Sequence, residues 1–416
     1  MPNTLIVGID VSSLSLVVRF MDQDGCGPFK SFTISNDLEG ADKLTADVIA
    51  YASKIDASQI KIGMESTSNY AWHLHLYLAS SPELIPFNPL FYVLNPSIVK
   101  GFKKTYTHLP KTDDIDSFVI ADCIRFGRVK STPLPDFRYA ALQRLTRFRY
   151  HLIQNITKEK NRTMNLIYLK FSSYVTDNPF SNTFGKASTS LIEKFTPDEI
   201  AQMPVEDIVS FICEEGNNRL KDPVEIAKKL KTLAGRAYRL NPKMSDSVDI
   251  TLTMSLENVR FLEMQLKKLD KEISQQLDAF SQTLSTIPGI GPVISAGIIA
   301  EVGDAKRFTG EAALAKFSGL VWNKYQSGNF DAEDTSLAKC GNFYLRYYLV
   351  EAANLLRMHV DEYNAFYQKK YKEVSKHQHK RALVLTARKF VRLVFALLNK
   401  GQVYQPGGGM PNNKCK

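Results

Sequence analysis

The chain has 416 residues, with 53 lysines and arginines against 43 aspartates and glutamates, a formal net charge of +10. This length supports two or three domains with proper cores, and the positive balance favours a polyanion such as nucleic acid over an acidic small molecule. No apolar run reaches the roughly 18 residues of a membrane span and no signal region opens the chain. Cys26, Cys123, Cys213, Cys340 and Cys415 form no CxxC pair, which argues against a zinc ribbon or a disulfide framework and for the cytoplasm.

Residues 1–130 alternate strand and helix signals. LIVGID, LSLVVRFM and SFTIS read as a strand meander, Leu38–Ser53 as a helix, IKIGM as a strand, Tyr70–Ala79 as a helix and FYVLN as a strand. Asn95 and Pro96 then read as a helix cap and first turn. Strands followed by crossover helices imply an α/β layer. Asp10 and Glu65 each follow an apolar run, so two buried strands deliver two acids to one sheet edge. Asp113 and Asp116 in KTDDID are spaced i, i+3, which puts both on one helix face. Asp114 points about 100° away and is left out of the group. Four converging carboxylates cannot all stay ionised without a cation. Mg²⁺, with Mn²⁺ as the alternative, is the usual solution, and such a site polarises the phosphoryl oxygens of a phosphodiester.

After a break at Pro133 and Pro135, residues 131–280 read as a helical oligomerisation segment. Phe137–Leu169 and Ser247–Phe280 are long charged helices, and Leu252, Val259, Leu266 and Ile273 recur every seven residues in the second. That pattern fits an antiparallel coiled coil or a dimerisation arm, and equally an ordinary helical domain packed within one chain. The insert Ser181–Pro242 shows no chemistry. Residues 281–404 form a third, mostly α domain, and the tail 405–416 is flexible. STIPGIGP, with Gly289 and Gly291 between apolar segments, has the composition of a helix-hairpin-helix that brings backbone NH groups to a phosphate. The polar run Trp322–Thr335 is an exposed loop carrying Ser327-Gly328, by itself a common turn. A helix follows over Gly341–Met358, and Lys324, Lys339 and Arg346 are candidate phosphate clamps. The stretch from Gln368 to Lys400, with Lys380, Arg381 and Arg388 among its cations and Tyr363, Phe366, Tyr367 and Tyr371 at its start, suits either a structured RNA or a basic face on a core helix.

The order Asp10, Glu65, KTD followed by Asp116, two long helices, PGIG, Ser327-Gly328 and AKCGNFYLRYYLVEAA resembles the DEDD transposases. These insertion-sequence recombinases are related to the Piv DNA invertase, and several use a bridge RNA. The resemblance implies a RuvC-like, ribonuclease H-type first domain whose Asp10, Glu65, Asp113 and Asp116 hold Mg²⁺. It also implies a C-terminal transposase domain whose Ser327 attacks the scissile phosphate to form a phosphoserine–DNA intermediate. The expected partners are the DNA of element ends and target, a structured guide RNA, and further copies of the chain in a homodimer or tetramer associated with the nucleoid. Tyr325 is a second candidate nucleophile, and the general base stays open.

Two other classes fit parts of the pattern. A water-using metal nuclease or resolvase needs the four acids and not Ser327. An actin-like ATPase or sugar kinase also opens with a strand and GID, but requires further glycine-rich phosphate loops that this sequence lacks.

Overall fold

The structure, a computed structural model, describes residues 3–27, 30–66, 69–106, 112–134, 136–323, 326–327, 330–331, 336–338 and 340–406, with 326–327 and 330–331 as backbone. The chain forms two compact units, 1–136 and 137–416.

The first unit is α/β. Strands β1 (Thr4–Val11), β2 (Ser15–Met21) and β3 (Phe32–Ser35) form the expected meander, then come α1 (Leu38–Lys54), β4 (Gln59–Glu65), α2 (Tyr70–Ser80), β5 (Leu90–Leu94), α3 (Pro96–Lys103) and α4 (Asp113–Arg125). The sheet order is β3-β2-β1-β4-β5. β2 pairs antiparallel with β1 and β3, whereas β4 pairs parallel with β1 and β5. One sheet face buries Leu5, Val7 and Ile9 with Leu44 and Val48 of α1 and Leu74 and Leu78 of α2. The other buries Ile6, Met21 and Tyr92 against Val119, Ile120 and Ile124 of α4.

A pair of glycines sets how closely α4 lies on that second face. Gly8 and Gly63 are register partners on β1 and β4. A Cβ on Gly8 would stand 2.2 Å from the Ser117 carbonyl oxygen, and one on Gly63 1.8 Å from Ile124 Cδ1. The helix therefore rests on bare backbone, a position that any other residue would deny it.

The second unit is helical. α5 (Phe137–Lys170) leads into five short helices, α6 (Ser172–Thr176), α7 (Lys186–Lys194), α8 (Pro197–Gln202), α9 (Val205–Glu215) and α10 (Pro223–Arg236). The long α11 (Pro242–Leu277) returns, followed by α12 (Pro292–Val302), α13 (Glu311–Phe317), the two-residue strands β6 (Gln326–Ser327) and β7 (Phe330–Asp331), α14 (Phe343–His359), α15 (Asp361–Lys372) and α16 (Gln378–Lys400). α11 starts five residues before the expected Ser247, because Asn241 caps it and Pro242 takes its first turn.

The two long helices, each roughly 50 Å at 1.5 Å per residue, lie side by side within the chain. Arg149–Asp270 at 2.6 Å, Lys160–Glu263 at 2.6 Å and Lys170–Asp249 at 2.8 Å bridge them. One numbering rises as the other falls, so the pair is antiparallel. Leu252, Val259 and Ile273 of the seven-residue series are buried, whereas Leu266 between them is only half-buried. Buried residues run along the pair, and at its two ends they join larger cores. At one end Ile167, Leu252 and Leu256 join α6–α10 in a core of their own, which gives the insert 181–242 a structural role. At the other, Leu142, Ile273 and Leu277 join α12–α16. Among the described residues no helix is long and apolar enough to cross a membrane.

Candidate active site

The four acidic residues of the first unit come from three segments, β1, β4 and α4. β1 and β4 run parallel in the register Gly8↔Gly63 and Ile9↔Met64, so Asp10 and Glu65 follow side by side at the same sheet edge. Side chains two apart on a strand share a face. Asp10 and Glu65 therefore lie on the face where Gly8 and Gly63 admit α4. Ser117 of α4 sits against Gly8 and Ile124 against Gly63, which directs the first turn of α4, with Asp113 and Asp116, toward the two strand acids. Three acids in that turn also suit the positive end of the helix dipole.

The consequence appears at Asp10. Burial first, then the charges of Asp116, Asp113 and Glu65, push its carboxyl from 3.8 up to about 6. Asp114 is turned elsewhere: its Oδ1 accepts from the Ser31 backbone N–H at 3.2 Å and lies 3.7 Å from Arg19. Its exclusion from the acidic group agrees with this placement.

A lysine unforeseen in the sequence enters the site. Lys103, the last residue of α3, puts Nζ 2.5 Å from Asp116 Oδ1. Among the described residues no three His, Cys, Asp or Glu side chains are gathered as a ready metal cage. Four carboxylates, three of whose charges raise the proton affinity of Asp10, are a donor set suited to a hard divalent cation.

In the second unit, Ser327 stands on β6 opposite Phe330 of β7, so the expected open loop contains a short hairpin ladder. The expected sites Lys324, Tyr325, Gly328 and Lys339, and most of the tail, lie outside the described residues. The base of the ladder is well anchored. Ala338 N–H donates to Val321 O at 2.7 Å, Asn323 N–H to Ser336 O at 3.0 Å and Asn342 N–H to Phe317 O at 2.6 Å. Gly319 and Gly341 make the approach possible, with φ of +69° and +122°. A Cβ on Gly341 would stand 2.7 Å from Phe317 O and from Gly319 N.

Behind this base lies a buried carboxylate that sequence reasoning missed. Glu301, near the end of α12, has a fully buried side chain. Arg147 grips it through Nε at 2.7 Å and Nη2 at 2.9 Å. Gln143 Nε2 donates at 3.1 Å and Asn342 Nδ2 at 2.7 Å. Burial opposes the Arg147 charge, but Glu301 outweighs it and holds the guanidinium above its usual range. Asn342 also caps α14, its Oδ1 accepting from Leu345 N–H at 3.0 Å. One acid thus ties α5 and α12 to the residue where the serine segment becomes α14.

The remaining candidates divide. Gly289 has φ +84°, and a Cβ there would stand 2.5 Å from the His359 ring. Gly291 caps α12 and faces open space, leaving that helix start unobstructed. The segment before the turn is a three-residue 3-10 helix, Leu284–Thr286, so only the second helix of the expected helix-hairpin-helix is formed. Arg346 is engaged at the ladder base, donating to Ser318 O at 3.3 Å. Lys380 and Arg381 are exposed and Arg388 is half-buried on α16, with Arg381 3.1 Å from Glu373. The neighbouring Tyr363 and Tyr367 are buried, which favours, for these two rings, the reading of a basic face on a core helix. His75 is buried in the first unit and His379 bonds Tyr367 at 2.7 Å.

Known proteins match both units. Residues 7–171 match a family model described as a transposase, of the DEDD type of IS110 elements, and residues 281–368 match one described as the transposase of the IS116/IS110/IS902 family. The 44.8 kDa protein of insertion element IS116 from Streptomyces clavuligerus is 24% identical over 309 residues, 71% of this chain and 73% of that protein. The transposase of element IS1111A from Coxiella burnetii is 29% identical over 181 residues, 42% of this chain and 48% of that protein. Among solved structures, T. thermophilus RuvC in complex with a Holliday junction substrate covers 32% of this chain and 100% of its own, at 13% identity and a TM-score of 0.24.

Proposed function

Because the chain belongs to the IS110-type family of DEDD transposases, we propose that it cuts and rejoins DNA through a serine ester, assisted by the acidic site. The observation that carries this reading is the convergence of Asp116, Asp113 and Glu65 on Asp10. Asp10, Glu65, Asp113 and Asp116 would hold Mg²⁺ or Mn²⁺, which supplies charge stabilisation at a phosphoryl group. Lys103 would leave Asp116 for a phosphate oxygen. We assign the first unit to the RuvC-like, ribonuclease H type on its mixed sheet and the place of its acids.

Ser327 is the proposed nucleophile. Its Oγ forms a bond to phosphorus as the bond to one strand oxygen breaks; Oγ gives up its proton and the departing strand takes one as a hydroxyl. The ester keeps the bond energy, so a new strand hydroxyl reverses the step without a further energy source. The open helix start at Gly291 and the cations Lys324, Lys339, Arg346, Lys380, Arg381 and Arg388 are assigned to the phosphate backbone, which gives affinity without base recognition. A structured guide RNA and a dimeric or tetrameric assembly complete the proposal, the antiparallel α5–α11 pair being the part that would join copies as a coiled coil.

The test is a denaturing gel of labelled element-end DNA with Mg²⁺, protein and any RNA transcribed beside the reading frame. Wild type should give a protein-linked band that both Ser327→Ala and Asp10→Asn abolish. Free cleavage products that survive Ser327→Ala and vanish with Asp10→Asn would replace the serine ester by a water-using nuclease.

A further inference from the structure

Beside the hydrophobic core of the second unit lies a cluster of rings that reaches beyond its packing. Tyr150 of α5 is its centre, with ring centroids 5.3 Å from Phe343, 5.5 Å from Tyr344 and 4.8 Å from Tyr347. Tyr347 belongs to the rim of the core, whereas Tyr150, Phe343 and Tyr344 do not. His151 is exposed and its Nε2 lies 2.9 Å from the Tyr344 hydroxyl. Phe343 keeps 46% of its surface in solvent. Arginines accompany the rings: Arg147 lies 4.7 Å from the Tyr344 centroid and Arg346 5.7 Å from that of Phe343. On the same exposed face of α5, Arg144, Phe148 and His151 follow at helical spacing.

We propose that this ledge is a binding surface for unpaired DNA bases beside the serine segment. Aromatic rings offer a π-face that any base can stack on, and Arg346, which donates to the neutral Ser318 carbonyl, attracts the strand that carries it. An aliphatic protein partner would find little to match here, since the exposed surface is made of rings and guanidinium groups. The ledge is also held in place before any strand arrives. Arg147, beneath Tyr344, is clamped by Glu301, and Phe343 directly follows Asn342, which Glu301 also holds. The same contacts therefore hold the rings and Asn342, the residue where the serine segment becomes α14. Exchanging strands requires that bases near the cut lose their partners, and a ledge at that point would receive them. This proposal rests on the strand-exchange reading above.

The test measures equilibrium binding rather than cleavage, in the full chain carrying Ser327→Ala, so that failure of the serine chemistry does not touch it. Fluorescence anisotropy at one fixed salt concentration would compare a short labelled single strand with the corresponding duplex. Phe343→Leu should weaken single-strand binding about tenfold, the lower part of what one stacked base contributes, and leave duplex binding within about twofold. Phe343→Trp should retain single-strand binding, because it keeps the π-face. His151→Ala, an exposed change that leaves the core untouched, should weaken it in the same sense. Equal loss of single-strand and duplex binding, or unaltered single-strand binding in both Phe343→Leu and His151→Ala, would overturn the proposal.

Discussion

The two candidate reaction centres are built by different means. The acidic group is set by apolar packing and bare backbone, with Gly8 and Gly63 letting α4 down onto β1 and β4. The base of the serine segment uses glycines too, Gly319 and Gly341, but adds a polar hub, with Glu301 reaching Arg147, Gln143 and Asn342 across three helices. A site of the first kind is rigid because nothing can be compressed further; a site of the second kind is rigid only while every partner is present.

That contrast can be broken most forcefully at the acids. Asp10→Asn, or chelation of divalent cations, should lower strand cutting by about a thousandfold, several kcal/mol at about 1.4 kcal/mol per factor of ten, with little loss of fold by circular dichroism. Retained cutting in a quantitative gel assay would remove the acids from the chemistry. Next comes the polar hub. Glu301→Met alone leaves Arg147 without its partner and should cost about 3 kcal/mol in denaturant unfolding, the low end for a broken buried pair because the guanidinium can reach solvent. Adding Arg147→Met should recover most of that stability. If the double variant also recovers joining, the hub serves folding alone and does not position Ser327.

Smaller effects sharpen the comparison. Gly341→Ala, at φ +122°, should cost about 1–3 kcal/mol and free the ladder base to earlier proteolysis. The smallest effect is electrostatic. The Asp10 carboxyl binds its proton more tightly in the folded than in the unfolded chain, at about 6 against 3.8. Its contribution to stability is therefore complete below the unfolded value and is lost as pH rises through 6. Metal-free Asp10→Asn protein should melt a few degrees above wild type at pH 8, with the gap closing toward pH 4.

The same contrast explains what could be read from the sequence. Strands carrying Asp10 and Glu65 at their far ends, the i, i+3 pair Asp113 and Asp116, and both long helices announce themselves through periodicity and spacing. Glu301, Arg147 and Asn342 stand in segments far apart in the chain, and nothing periodic relates a buried acid to its partners. Lys103 was hidden for a similar reason: it ends a short basic helix that reads as solvated until Asp116 is seen beside it. The rings of Tyr363 and Tyr367 left two readings open, since an aromatic near lysines looks available until its burial is known. The glycines had a visible signal in GID and IGM, glycine inside an apolar strand, which often marks close approach of another backbone.

That glycine pair acts as a gauge. At Gly8 the depth at which α4 rests is fixed by backbone meeting backbone, a distance that no rotamer can adjust, and at Gly63 by the side chain of Ile124. A side chain at position 8 would act as a spacer that lifts two of the four acids away from the others.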